Sequence, residues 1–357
     1  MKVMIVADDL TGALDSAAPF AMAGLRTVVL RRIEGIGSVG PGTEVLALST
    51  GSRDGSREAA QAAVARALDL LPRPPEILMK KVDSRLKGHI AAETGLLADW
   101  AGRGRCLALP AIPDMGRVVR AGAVTGSGVA TPIPVAAALS PLAADAPDCA
   151  SDGDLDAALE AAGSLRDLVL VGARGLSAAL ARRIGRGLTP LAGSLPAPLL
   201  MAVGSRDPIT LAQIAALEGI PAEHAPDGRG LKTPDTGYTA PVTLVRMTDG
   251  GGGVPAAEAG ARFAQGIAAR IRRSPPATLL ACGGETANAV LAALGIDRLD
   301  LDGDILLGIP LARAQLDGVP LAILTKSGGF GGAESLRALA DMVKSADGFA
   351  LPLGLAT

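Results

Sequence analysis

Residues 1–17, MKVMIVADDLTGALDSA, pass from an apolar run through two aspartates into a stretch of helical spacing. The run Val3 to Ala7 has the length and β-branched content of a buried strand, and the segment from about residue 12 to 23 has the period of a helix packed on one face. The same alternation continues outward. Strands are predicted at Thr27 to Leu30, Val45 to Leu48, Ile77 to Lys80, Cys106 to Leu109 and Leu168 to Val171, with helices near 12–23, 56–71, 89–101 and 154–162. After the Pro- and Gly-punctuated stretch GLTPLAGSLPAP (187–198) it resumes, with strands at Leu199 to Val203, Val242 to Val245, Thr278 to Ala281 and Leu321 to Leu324. Helices are predicted there near 208–218, 256–273, 285–294 and 333–345, while 225–240 and the tetraglycine Gly250 to Gly253 read as loops. The pattern is that of an α/β protein with two domains, each a mostly parallel sheet flanked by helices, and no internal repeat is visible. Proline breaks regular structure at 187–198, which places a boundary and hinge there, between domains at 1–190 and 196–357.

The chain has 357 residues, enough for two cores. Its 34 basic and 36 acidic residues leave a formal charge of -2, and one Trp, one Tyr and four Phe offer no stacking platform, so nucleic acid is not an expected partner. Three scattered cysteines, Cys106, Cys149 and Cys282, read as reduced core thiols rather than a disulfide framework. Two histidines without metal-ligand spacing argue against a transition-metal site, although a hard cation held by carboxylates and phosphates stays open. The short apolar start is neither a leader nor a span, and no later run approaches 18 apolar residues. These features predict a cytoplasmic protein without a membrane partner.

In the first half the chemistry lies in charged loops after strands. Asp8 and Asp9 follow the first strand, where open parallel sheets bind ligands, and adjacent side chains there face opposite ways. One can orient or deprotonate a hydroxyl while the other caps the following helix or holds a second group. ILMKKVDSRLKGHIAAE sets Lys80, Lys81, Asp83, Ser84, Arg85 and Lys87 beyond another strand, a density of cations suited to an anion. STGSR (49–53) adds Ser52 and Arg53, and PAIPDMGR (110–117) adds Arg117. An ordinary solvated turn is the alternative for each.

In the second half the loops are rich in glycine instead. AVGSRDP places Gly204 and Ser205 ahead of a helix with Asp207 as cap and Pro208 in its first turn. ACGGETANAV brings Gly283, Gly284, Glu285 and Thr286, and TKSGGFGG brings Lys326, Ser327, Gly328 and Gly329. Three such turns at one sheet edge suit phosphate, because bare backbone amides and helix N-termini approach it closely and a lysine can counter its charge. Neither a P-loop nor a dinucleotide fingerprint is present.

Taken in order, ADDLTGALDSA, STGSR, KKVDSRLKG, PAIPDMGR, SDGDLDA, GSRDPITLAQ, GGETANAV and TKSGGFGG resemble the four-carbon acid sugar kinases over nearly the whole chain. The resemblance implies transfer of the γ-phosphate of ATP, with Mg2+, to the terminal hydroxyl of a small sugar acid such as threonate, erythronate or 3-oxo-tetronate, in the cleft between the domains. It implies that the N-terminal domain binds the acid through Asp8, Asp9, Arg53, Lys81, Asp83 and Arg85, with Arg117 as a further candidate. The C-terminal domain is implied to bind the nucleotide through Ser205, Gly283 to Thr286 and the loop around Gly328. Asp8 and Asp83 are both candidates for the base. No metal ligand is assigned, and the oligomeric state is open, with a homodimer as one option. The chain departs from the pattern in AVTGSGVATPIPVAAAL, which lacks an acidic Glu-Thr element and a Tyr, and in a trimmed 220–278. These changes bear on the substrate, and a branched or oxidised acid is admitted. A non-catalytic sugar-acid or nucleotide-binding protein is the rival reading.

Overall fold

Runs such as VMIVA, VLALS and LLMAV are buried along their whole length, as strands covered by helices on both faces must be. The computed structural model describes residues 1–71, 73–188, 191, 193–220, 222–231 and 237–344. It divides into two compact units, Met1–Pro190 with Asp297–Gly303, and Leu191–Ile296 with Asp304–Thr357.

The first unit runs β1 (Val3–Ala7), α1 (Leu10–Met22), β2 (Thr27–Leu30), β3 (Val45–Ser49), α2 (Arg57–Asp69), β4 (Ile77–Lys81), α3 (Ile90–Ala101) and β5 (Arg105–Leu109). There follow β6 (Arg117–Arg120), β7 (Ala123–Gly126), β8 (Ile133–Pro134), α4 (Val135–Leu139), β9 (Ala144–Asp145), α5 (Asp152–Ala162), β10 (Leu168–Gly172) and α6 (Arg174–Ile184). Its parallel strands lie in the order β2-β3-β1-β4-β10-β5-β9, while β6, β7 and β8 form a small antiparallel sheet. The first crossover carries the chain from β1 to β2 on one side and the third carries it from β3 past β1 to β4 on the other, so the strand order reverses between β1 and β4. Ligands of open α/β sheets sit in the crevice beyond such a switch point.

The second unit runs β11 (Leu195–Pro196), β12 (Leu199–Val203), α7 (Pro208–Ala215), β13 (Ala222–Pro226), β14 (Val242–Thr248), α8 (Ala256–Arg273), β15 (Thr278–Cys282) and α9 (Gly284–Leu294). The chain continues with β16 (Arg298–Leu306), whose residues up to 303 belong to the first unit, and then β17 (Ile309–Leu316), β18 (Val319–Lys326), α10 (Ser335–Asp341) and β19 (Val343–Lys344). The parallel order β13-β14-β12-β15-β18 repeats the path of β2-β3-β1-β4, and β17 runs antiparallel to β18. The switch point here lies between β12 and β15. A core of Met201, Val203, Leu244, Leu280, Leu324 and Leu336 packs between sheet and helices.

Several expectations need revision. The parallel strands of the two units share a path even though the sequence shows no repeat, because topology depends on element order and not on residue identity. Residues 297–303 belong to the first unit, where Arg298–Leu301 pair antiparallel with β2 and Arg31 bonds Asp297. Helix α6, the hairpin β6–β7 and the pair β16–β17 were not expected. The segment 225–240 begins with the end of β13, and its residues 232–236 lie outside the described residues, as do 189, 190 and 192 of the expected hinge. The helix expected over 333–345 spans only Ser335–Asp341, and residue 345 is outside the description.

Candidate active site

At the switch point of the first unit, β1 delivers Asp8 and Asp9 beside the loop after β4. Asp9 is the N-cap of α1, accepting from the amide of Gly12 at 2.9 Å and from Thr11 Oγ1 at 2.8 Å. Arg53, at the end of the loop after β3, donates Nη2 to Asp8 Oδ1 at 2.7 Å and Nε to Asp8 Oδ2 at 3.1 Å. The same guanidinium gives Nη1 to Asp9 Oδ2 and Nη2 to Asp9 Oδ1, both at 2.9 Å. Four of its five N–H groups are thus spent on two aspartates. Arg53 was expected to hold a substrate anion, and the structure instead uses it to knit Asp8 to Asp9.

Asp8 is only 2% exposed. Burial pushes its carboxyl up, but Lys80, Arg53 and Lys81 together outweigh burial and hold it below the ordinary value. Burial likewise disfavours charge on Arg53, and the two aspartates overcome it to hold the guanidinium proton more tightly than usual. Beneath them Lys80 pairs with Glu93 of α3 at 2.5 Å, both 1% exposed, and Ser52 Oγ donates to Glu93 at 2.5 Å. From the sequence Lys80 counts only as one cation of its loop, and Glu93 has no role. Gly88, at φ +95, passes so near that a Cβ there would lie 2.8 Å from Asp8 Oδ2.

The remaining cations differ in kind. Lys81 is buried, donates to the carbonyl of Val82 at 2.8 Å, and has no carboxylate within ion-pair distance among the described residues. Arg85 is exposed and unpaired among them. Arg117 donates to Ser84 Oγ at 2.5 Å and to the Ser127 carbonyl at 2.8 Å, again without a carboxylate. Burial and the neighbouring charge of Arg85 loosen the Arg117 proton, with Asp83 opposing. The half-buried Asp83 receives the amide of Arg85 on Oδ1 at 2.9 Å. Charge around Asp8, Asp9, Glu93, Arg53, Lys80 and Lys81 cancels, whereas Asp83, Arg85, Lys87 and Arg117 leave an excess of two positive charges.

In the second unit the loops after β12, β15 and β18 meet through glycine. A Cβ on Gly204 would lie 2.1 Å from Thr286 Oγ1, and one on Gly328 would lie 2.3 Å from Ser205 Oγ. The bareness of Gly328 therefore lets one loop approach another. Helix α7 is capped by Asp207, which accepts from the Ile209 amide at 2.9 Å and puts negative charge at that end. Helix α9 has Gly283, φ +109, at its N-cap and so no side-chain cap. Its first amides, at Gly284, Glu285 and Thr286, have no acceptor within the helix and suit an anion.

Lys326 also differs from expectation. It is 0% exposed, and its ammonium donates to the carbonyls of Ser327 at 3.1 Å and Gly328 at 3.2 Å and to Thr210 Oγ1 at 3.4 Å. Burial pushes its pKa down. Thr210 in turn donates to the Gly328 carbonyl at 2.7 Å, so this lysine ties the glycine loop to α7 from inside. Ser327 and Gly329 line the same loop, with Gly329 beside Asp207.

A fourth loop at this edge is the tetraglycine Gly250 to Gly253. The carboxylate of Asp227, buried at the end of β13, accepts from the Gly250 amide at 3.0 Å, and Arg206 reaches Asp249 at 3.6 Å. The tetraglycine is thereby anchored next to the Ser205 loop. The Asp-Gly run after a strand was the available signal, but its partner lies 23 residues away.

Among the described residues no group of three His, Cys, Asp or Glu could hold a metal ion, and no helix is long and apolar enough to cross a membrane. Residues 3–164 match the family model of a sugar-binding N-terminal domain and residues 244–336 that of a nucleotide-binding C-terminal domain. The chain is 31% identical to a D-threonate kinase of Cupriavidus necator, over 94% of this chain and 96% of that one. It is 30% identical to a 3-oxo-tetronate kinase of Methylobacterium radiotolerans, over 95% and 98%. The fold matches a Haemophilus influenzae protein, HI1011, of a domain-of-unknown-function family with TM-score 0.68 at 19% identity, covering 95% of this chain and 99% of that one. A provisionally named tRNA synthase of Salmonella typhimurium LT2 matches with TM-score 0.78 at 20% identity, over 94% and 98%. By these domain models and full-length relatives, the chain belongs to the four-carbon acid sugar kinase family.

Proposed function

We propose that this protein is an ATP-dependent kinase that phosphorylates a hydroxyl of a small sugar acid, four carbons long or closely related. The observation that carries the reading is the uncompensated positive charge of Arg85 and Arg117 at the switch point of a sugar-binding unit. A neutral sugar has no use for it, whereas a carboxylate entering a cleft needs a paired cation. Lys81 is the third cation available to the acid. The names of the relatives, D-threonate kinase and 3-oxo-tetronate kinase, agree in substrate class.

For the nucleotide, the uncapped start of α9 suits phosphate groups, and Gly204, Gly283 and Gly328 let the neighbouring loops close around it. Ser205 and Thr286 border it. Magnesium would enter with the phosphates, keeping its waters, with Asp207 and Glu285 as the acids at the starts of α7 and α9; bound there, it would neutralise phosphate charge. Transfer of a phosphoryl group asks the protein for position and electrostatics rather than covalent chemistry. Arg85 and Arg117 orient the acid by its carboxylate, and the amides of α9 fix the donor.

Coupled ADP release across a panel of four- and five-carbon aldonic, ketonic and branched sugar acids tests this. Turnover is expected with at least one acid and not with the matching neutral sugars. ATP binding without ADP release from any acid would refute the kinase reading and leave a non-catalytic binding protein.

A further inference from the structure

We propose that Asp83 is the general base for the acceptor hydroxyl and that Asp8 is a positioning residue that takes no proton. The assignment rests on the kinase reading above and chooses between the two carboxylates it leaves open. Four carboxylates stand near the β1–β4 switch point, and three are spent. Both oxygens of Asp8 receive Arg53 N–H groups, and the side chain is 2% exposed. Asp9 accepts two N–H groups from Arg53, one from Gly12 and the Thr11 hydroxyl, so each of its oxygens carries two donors. Glu93 is 1% exposed between Lys80 and Ser52. Asp8 and Glu93 are too deeply buried for a substrate hydroxyl to reach, and on Asp9 a hydroxyl would have to displace one of four donors that already fill its acceptor sites.

Asp83 alone keeps an oxygen free. Its Oδ1 is oriented by the Arg85 amide, Oδ2 has no donor among the described residues, and the side chain is half-buried. It also sits among the cations that suit the acid: its charge is felt by Arg117 and by Arg53, and its own loop carries Arg85. An acid whose carboxylate lies on Arg85 and Arg117 would have its hydroxyls on the same loop as the free oxygen, the arrangement that general base catalysis requires. In the step, the hydroxyl proton passes to Asp83 Oδ2 as the oxygen forms its bond to the γ-phosphorus. The bond from that phosphorus to the bridging oxygen breaks, ADP leaves with the electron pair, and Asp83 returns its proton to solvent.

The test compares Asp83→Asn, Asp83→Glu and Asp8→Asn by kcat, by KM for the acid, by pH profile and by thermal unfolding. Asp83→Asn should lower kcat by roughly 100-fold or more, keep both the acid's KM and the unfolding midpoint near wild type, and lose the acid limb of the kcat profile. Asp83→Glu should recover part of kcat. Asp8→Asn should lower the unfolding midpoint and raise the acid's KM while keeping at least about a tenth of wild-type kcat, as expected of a positioning group. Asp83→Asn with kcat within threefold of wild type, or recovered by excess magnesium, would overturn the assignment. So would Asp8→Asn that folds normally and loses kcat alone. A wild-type protein that turns over no acid would sink the kinase reading itself, an outcome distinct from an active wild type with an active Asp83→Asn.

Discussion

Replacing Lys326 by methionine separates two uses of a lysine in a glycine loop. In the structure its ammonium is buried and makes three hydrogen bonds of 3.1 to 3.4 Å, two of them to carbonyls of its own loop. Bonds from a charged donor contribute about 1.5–3 kcal/mol each when well formed, and leaving a buried acceptor unsatisfied costs about 1–3 kcal/mol. These bonds are long, and burial of the charge, which lowers the lysine pKa, offsets part of the gain. We therefore take a net loss of about 2 kcal/mol for Lys326→Met, near 30-fold in the unfolding equilibrium. Methionine nearly conserves the volume, so little of the loss would come from a cavity. Urea unfolding of the variant should show that loss, and calorimetry should show weaker ATP binding by roughly tenfold as the loop relaxes away from α7. Catalysis by the ATP that does bind should fall much less. If Lys326→Met unfolds like wild type and binds ATP normally but loses kcat by 100-fold or more, the ammonium meets the transferring phosphoryl group and the reasoning fails.

Gly204→Ala should weaken ATP binding by about tenfold or more, because its Cβ would fall 2.1 Å from Thr286 Oγ1 on a stiff β-branched side chain at the start of α9. Gly328→Ala should be milder, since Ser205 Oγ can rotate away; calorimetry that ranks them oppositely would contradict this packing of the loops. Asp8 is held below its ordinary value of 3.8, so the stability it contributes is fully present above that pH and is lost as pH falls through the lower folded value. Arg53→Ala should then unfold at a higher pH on acidification, followed by circular dichroism, and coincident acid transitions for the two proteins would argue against the clamp.

The central parallel strands of both units were legible in the sequence because a strand buried on two faces must be apolar throughout, which leaves a local signature in VMIVA, LLMAV and TLLAC. The loops that follow them were legible for a similar reason, since charge or glycine at a strand's end is read within a few residues. Strand β16 was not, because its register comes from β2, some 270 residues earlier, rather than from its own alternating pattern. Residue type likewise said that cations gather after β3 and β4, and only the tertiary structure decided which are spent. Arg53 is neutralised by aspartates 44 and 45 residues away, and Lys80 by Glu93 on the next helix, while Arg85 and Arg117 have no carboxylate partner among the described residues. Lys326 turned inward because carbonyls of its own loop and a threonine 116 residues earlier surround its ammonium. A side chain's chemistry is local, but whether that chemistry is free to act depends on partners brought up through space.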